Sequence, residues 1–240
     1  MKVANKLSKK GLKSSGDNPW MSISDLMSGL MMVFMLISVM YMIQVQNEQK
    51  KQDEMIQEYA IVKQDIYDAL LKEFESDLPK WNARIDKKTL AITFVEPDVL
   101  FDVGSSALTP KFQNILNDFF PRYLSILQRD EFKNSIEEIR IEGHTDPYWK
   151  GAQTRKEEYM QNMDLSQQRT RSVLLYALTQ LVPDKDLEWV ISKITANGLS
   201  SSQPVKNDND TINAEASRRV EFRVRTNADE KLNNLQERIH

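Results

Sequence analysis

A single carboxylate, Asp25, stands where the apolar stretch PWMSISDLMSGLMMVFMLISVMYMIQVQ becomes continuous, and no further charge follows until Glu48. In a low dielectric the neutral and ionised forms of such a group compete closely, so it can take up a proton or cation from one side and release it to the other as its surroundings change. A second reading is structural: Asp25, Ser22 or Ser24 caps a helix N-terminus, where free N–H groups and the helix dipole favour a carboxylate. The residues alone leave both readings open. The relay reading also demands a partner protein, because one lone span cannot build an aqueous path around its own acid.

Little else in the composition can do chemistry. The chain has no cysteine, which excludes disulfides, thiolate zinc sites and a cysteine nucleophile. Its histidines are His144 and His240 alone, too few for a histidine-rich metal site. No nucleophile arrangement, metal cluster or phosphate-binding loop emerges, so an enzyme is not expected, and neither is a metal or a cofactor. A formal charge of -3 over 240 residues gives no sign of a nucleic-acid surface. Glycine and proline are sparse, which predicts mostly regular structure.

The elements that would position Asp25 follow from length and charge. Leu26 to Val45 are twenty uncharged residues, which at about 1.5 Å per residue match a hydrocarbon core of roughly 30 Å. A signal peptide would carry a shorter apolar region followed by small residues at a cleavage site, and Met40, Tyr41, Met42 and Ile43 do not supply one. Lys2, Lys6, Lys9, Lys10 and Lys13 precede the span, so the positive-inside rule puts the N-terminus in the cytoplasm and everything after residue 46 outside. Trp20 marks the cytoplasmic interface in this reading. The expected organisation is a lysine-rich tail (1–19), a transmembrane helix (20–46), a helical connector (47–80), an α/β domain (81–228) and a C-terminal tail (229–240).

In the connector, Met55, Tyr59, Val62, Ile66 and Ala69 are spaced as an a/d stripe. It predicts either two copies running side by side as a parallel coiled coil or a helix packed on its own domain. Beyond Lys80 the period changes. TLAITFV (89–95), IEEIRIE (136–142) and RVEFRVR (219–225) alternate as strands, Thr109 with Pro110 opens a helix, and 165–180 has helical spacing.

Three stretches of this domain carry a resemblance: FDVGSSALTP (101–110), IEGHTD (141–146) followed by NMDLSQQRT (162–170), and ASRRVEFRV (216–224). Together they resemble the OmpA C-terminal-like peptidoglycan-binding family, which implies an α/β sandwich with a mixed sheet. By position, the resemblance implies that Asp146 holds the ammonium and Arg169 the carboxylate of diaminopimelate in the peptide stem. That division is chemically sound, since a guanidinium forks onto a carboxylate and an acid pairs an ammonium. Two departures stand out. PYWKGAQTRKEEYMQ (147–161) reads as an inserted loop that reshapes or covers the pocket, and Ser217 replaces the family's usual asparagine. His144 reads as a structural residue of the strand-to-loop corner.

A lysine-rich tail, one span with Asp25 five residues after Trp20, a connector and an OmpA-like domain resemble the MotB-like B subunits of ion-driven rotary stators. The resemblance implies a bacterial inner-membrane protein with a periplasmic domain. It further implies a homodimer inside a ring of five MotA-like A subunits, with Asp25 carrying a proton or a sodium ion. ISDLMSGLMMVFMLISV departs from the flagellar pattern and is more similar to the B subunits of Zorya anti-phage defence, which couple such a motor to cytoplasmic effectors through the A subunit. The flagellar stator is the near alternative, and a passive membrane-to-wall tether is the alternative from another class.

Overall fold

A computed structural model describes residues 19–95, 100–102 and 104–227; for residues 19–22, 55, 58 and 59 it describes the backbone alone. The lysines expected to orient the span, the Trp20 ring, the Met55 and Tyr59 side chains and the tail from 229 lie outside the described residues. The chain divides into two compact units, Met1–Glu54 and Met55–His240.

Helix α1, Pro19–Phe74, supplies the described part of the first unit. Its segment Ile23–Glu54 is long and apolar enough to cross a membrane and has none of its side chains buried within the chain. The helix starts six residues before Asp25, so Asp25 lies beyond the first turn. The N-terminal N–H groups and the dipole act within that first turn, and the capping reading of Asp25 therefore does not fit the helix that forms.

In the second unit the sheet order is β1-β2-β5-β3-β4, with β1 Ala83–Asp86, β2 Ala91–Val95, β3 Ile136–His144, β4 Ile194–Gly198 and β5 Arg219–Thr226. The β3–β4 pair is parallel and the others are antiparallel, which makes the sheet mixed as expected. Between strands lie α2 (Pro110–Leu127), α3 (Arg155–Tyr176) closing in a π-helical turn Ala177–Leu181, α4 (Asp184–Lys193) and the single turn α5 (Ala214–Ser217).

Local chemistry explains the helix starts. Thr109 caps α2 by accepting from the Phe112 N–H at 3.1 Å, with Pro110 at the first position, where its missing N–H costs nothing. At α3, Thr154 Oγ1 accepts from Glu157 N at 3.2 Å while Glu157 Oε2 accepts from Gln153 N at 2.7 Å, a reciprocal arrangement like a capping box. This corrects the expectation of a loop across 147–161, because residues from Arg155 onward are the first turns of α3.

The core is aromatic. The Phe119 ring on α2 lies 5.0–5.2 Å from Phe74, Phe94, Tyr123 and Phe222, joining α1, β2 and β5 around one side chain. Ile66, Leu70 and Phe74 of α1 are buried in this cluster, with Val62 and Ala69 packed against it. The second half of the connector's stripe is thus used by the chain's own domain. Arg122 fastens the same contact: it donates to Glu73 Oε1 at 2.7 Å, Asp77 Oδ2 at 3.1 Å and Asp118 Oδ1 at 3.0 Å, and lies over Phe74.

Candidate functional site

Strand β3 ends at His144, and the chain turns to put Thr145 and Asp146 at the sheet's C-terminal edge. Thr145 N donates to Ser200 O at 2.9 Å and Leu199 N to Gly143 O at 2.9 Å, so the corner is tied to the loop after β4. On α3, Ser166, Arg169 and Thr170 share one face by their three- and four-residue spacing, and all are buried. The two glycines opposite explain how closely this helix approaches. A Cβ on Gly143 would come within 2.7 Å of the Thr170 side chain, and one on Gly198 within 2.4 Å of Gln167 N. Ser166 completes the junction by accepting from Ser200 N at 3.1 Å.

Arg169 is held from two sides. Its Nε donates to Ser105 O at 3.0 Å, and its guanidinium lies 4.8 Å from the Phe101 ring centroid, a cation–π distance. FDVGSSALTP therefore serves as the wall against which Arg169 is laid. Leu100, Phe101, Gly143, His144, Ser166 and Arg169 line a recess with room for about one water molecule.

Asp146 is occupied differently. Its Oδ1 accepts from Tyr148 N at 2.9 Å and its Oδ2 from Arg218 Nη1 at 3.1 Å. The sequence alone assigns no role to Arg218, the first arginine of ASRRV. Any ammonium group bound by Asp146 would share the carboxylate with this guanidinium. Ser217, the departure beside it, is fully buried; its Oγ accepts from Val205 N at 2.9 Å and donates to Asn213 O at 2.6 Å. The substitution thus retains a polar tie on the loop that presents Arg218.

The 147–154 loop is anchored to α3 as well. Arg155 Nη1 donates to Pro147 O at 2.8 Å and Asn162 Nδ2 to Tyr148 O at 3.3 Å, while the Tyr148 side chain remains 63 % exposed beside Asp146.

Behind the recess lies a buried ionic network. His144 Nε2 is 3.8 Å from Glu142 Oε2 and 3.9 Å from Glu221 Oε2, and these three residues place one donor atom each within 4.8 Å of one another. They have the donor types of a metal site, but the carboxylates are already engaged. Arg219 Nε donates to Glu221 Oε1 at 2.6 Å, and Arg223 Nη2 lies 3.0 Å from Glu221 and 3.3 Å from Glu142. A divalent ion would face both guanidiniums at short range, so the cluster is better suited to compensating charge than to holding metal. Burial pushes the Glu221 carboxyl up, yet Arg219, with help from His144 and Arg223, outweighs it and holds the group below the ordinary carboxylate range.

The second candidate, Asp25, is exposed on α1, next to Leu26 and Met27 at 74 % and 56 % exposure. Nearby, Ser28 Oγ donates to Ser24 O at 2.8 Å, so that hydroxyl is satisfied within the helix.

Comparison with known proteins now settles the family. Residues 100–219 match the OmpA family. Across 223 residues, covering 93 % of this chain and 94 % of the relative, the sequence is 45 % identical to the Zorya protein ZorB of Escherichia coli (Crooks strain). The chain belongs to the ZorB family of Zorya proteins. Between the Zorya and flagellar resemblances, the first is the one shown. A MotB-like protein from Desulfovibrio vulgaris overlays on the ZorB-family chain with a TM-score of 0.50 at 22 % identity, covering 71 % of this chain and 98 % of that one, a likeness of fold alone.

Proposed function

We propose that this chain is the wall-anchored B subunit of an ion-driven rotary motor in the bacterial inner membrane, serving Zorya anti-phage defence. The observation that carries the reading is that 45 % identity to a ZorB protein extends over 93 % of the chain. It therefore takes in both the apolar helix with Asp25 and the domain with Asp146 and Arg169. The N-terminus lies in the cytoplasm and the OmpA-family domain in the periplasm.

Asp25 is the relay. An acid on an apolar helix, past the first turn and without a cap's function, needs a polar partner supplied from outside the chain. A homodimer within a ring of five A subunits provides one. Because two identical carboxylates in an odd-numbered ring meet different neighbours at any instant, they load and release a proton or sodium ion in turn. Each neutralisation changes which ring position is favoured, and that difference drives rotation, which reaches cytoplasmic effectors through the A subunit.

The outer domain supplies the reaction point. Asp146 holds the ammonium and Arg169 the carboxylate of diaminopimelate in the peptide stem, so that torque turns the ring and not the B dimer. Arg169, pinned to Ser105 and Phe101, is positioned before ligand arrives; Asp146 must shift part of its bonding from Arg218.

Co-purification from membranes with mass measurement of the complex tests the reading. Two copies of this chain with five of a multi-span partner are expected. Recovery of this chain alone, sedimenting with cell wall, would instead favour the passive tether.

A further inference from the structure

Beside the charged pair Asp146 and Arg169 stands an aromatic side chain that the proposed contacts leave unused. One exposed apolar side chain means little by itself. Ile61, Met160, Leu175 and Ile191 are also exposed in the second unit, and each lies on a helix, whose outer face meets solvent. Tyr148 lies instead on the loop that leaves Asp146, and it is 63 % exposed.

Its backbone is fixed on both sides. Tyr148 N donates to Asp146 Oδ1 at 2.9 Å, and Tyr148 O accepts from Nδ2 of the buried Asn162 at 3.3 Å. One residue earlier, Pro147 O accepts from Arg155 Nη1 at 2.8 Å. One residue later, Trp149 O accepts from Ala152 N at 3.3 Å, where Gly151 at φ +95° lets the chain turn back. The carbonyls of 147, 148 and 149 are therefore all bonded, the first two to side chains of α3. A ring carried on such a mount is held near the acid before ligand arrives, so binding orders little more of the loop.

The ligand proposed for Asp146 and Arg169 has a part that needs this surface. The free end of diaminopimelate carries its ammonium and carboxylate on one carbon, and a trimethylene arm joins that carbon to the rest of the stem. The recess has room for about one water molecule, so the arm cannot enter it. Laid on an aromatic face, the arm is removed from water and stabilises the complex in proportion to the apolar area covered.

We infer that Tyr148 is a binding residue for the peptide stem, its ring covering the trimethylene arm of the diaminopimelate whose ammonium pairs with Asp146. The inference rests on the proposed wall-binding role of Asp146 and Arg169. It makes the site selective for the length of the diamino acid as well as for its charges.

The probe is a synthetic stem tripeptide ending in diaminopimelate, titrated calorimetrically into the full-length chain in phosphatidylcholine nanodiscs. Its counterpart carries the same charges, with a lone methylene in place of the trimethylene arm. Wild type should bind the first about tenfold more tightly, as the lost methylenes require. Tyr148→Ala should weaken the diaminopimelate peptide about tenfold and remove that preference, while Tyr148→Phe keeps both. Melting temperatures equal to wild type are expected for these variants, because the side chain is exposed. A preference that survives in Tyr148→Ala, or equal affinity of this variant and wild type, overturns the inference; if Asp146→Ala still abolishes binding, the wall-binding reading stands without it. No binding by wild type, or binding untouched by Asp146→Ala, overturns that reading and the inference with it.

Discussion

The Ile23–Glu54 segment and the domain from Met55 onward solve opposite problems. The first leaves its apolar side chains exposed, from Leu26 at 74 % to Val39 at 47 %, and carries among them Asp25, the one charged residue between Ile23 and Asn47. The second buries its large side chains around Phe119 and compensates its buried acids with its own arginines. The contrast separates chemistry that is complete within the chain from chemistry that must be completed by something else. His144, Glu142 and Glu221 are surrounded by counter-charges, and their effects should be on stability. Among the described residues Asp25 has no ion pair, and its effects should be on function.

The sharpest way to break this comparison is Asp25→Asn, which keeps the size of the side chain while removing its titratable proton. Protection against phage, measured by plating efficiency, is expected to vanish while the complex still co-purifies. Retained protection would reduce Asp25 to a structural residue.

In the OmpA-family domain, Asp146→Ala or Arg169→Ala should abolish sedimentation with purified cell wall, since each removes a charged partner from the zwitterionic ligand proposed, worth about 1.5–3 kcal/mol. Unchanged sedimentation in both would move wall binding away from the recess.

Gly198→Ala should be the costliest change within the domain's scaffold. Its Cβ would meet the α3 backbone at 2.4 Å, which a side-chain rotation cannot relieve. About 3 kcal/mol of stability is expected to be lost, as read by denaturant midpoint. A variant as stable as wild type would show that α3 can move away from β4.

Arg122→Ala comes next, at about 1–3 kcal/mol, because it leaves Glu73, Asp77 and Asp118 without their shared cation. A loss below experimental error would mean that packing of Ile66, Leu70 and Phe74 alone secures α1 to the domain.

The smallest effect is acid sensitivity. Burial works against ionised Glu138 and Glu221, but Thr195 and the arginines around them hold both below the ordinary carboxylate range. For groups with depressed folded pKa values, the stabilisation is fully present above the unfolded values, near pH 4, and is lost as pH falls through the folded ones. Melting temperature should drop on acidification through that window, and Glu138→Gln should flatten the drop. An identical slope in that variant would contradict the assignment.

Much of this was legible in the residues. Alternation gave away β2, β3 and β5, because each lies in a seven-residue stretch (89–95, 136–142 and 219–225) that shows the period together with its flanking residues, and Thr109-Pro110 announced α2. The edge strands Ala83–Asp86 and Ile194–Gly198 carry four and five residues, too few to reveal a period against their neighbours. The 147–161 segment reads as a loop although Thr154 and Glu157 stand at capping-box spacing, because its charged composition masks the helix start. Arg218 was missed for a different reason. Its meeting with Asp146 joins residues 72 positions apart and exists only once β5 pairs with β3. The ionic network has the same origin: Glu142 faces Glu221, and His144 faces Arg219, only in that register.

Ion passage at Asp25 is what the proposed motor most directly requires. The co-purified complex, reconstituted in liposomes with a pH-sensitive dye inside, should acidify the lumen under an imposed proton gradient when Asp25 is present and show no flux above empty liposomes with Asp25→Asn; a parallel trial with a sodium gradient and a sodium dye covers the other ion. Equal flux from wild type and variant, or none from wild type under either gradient, would contradict it.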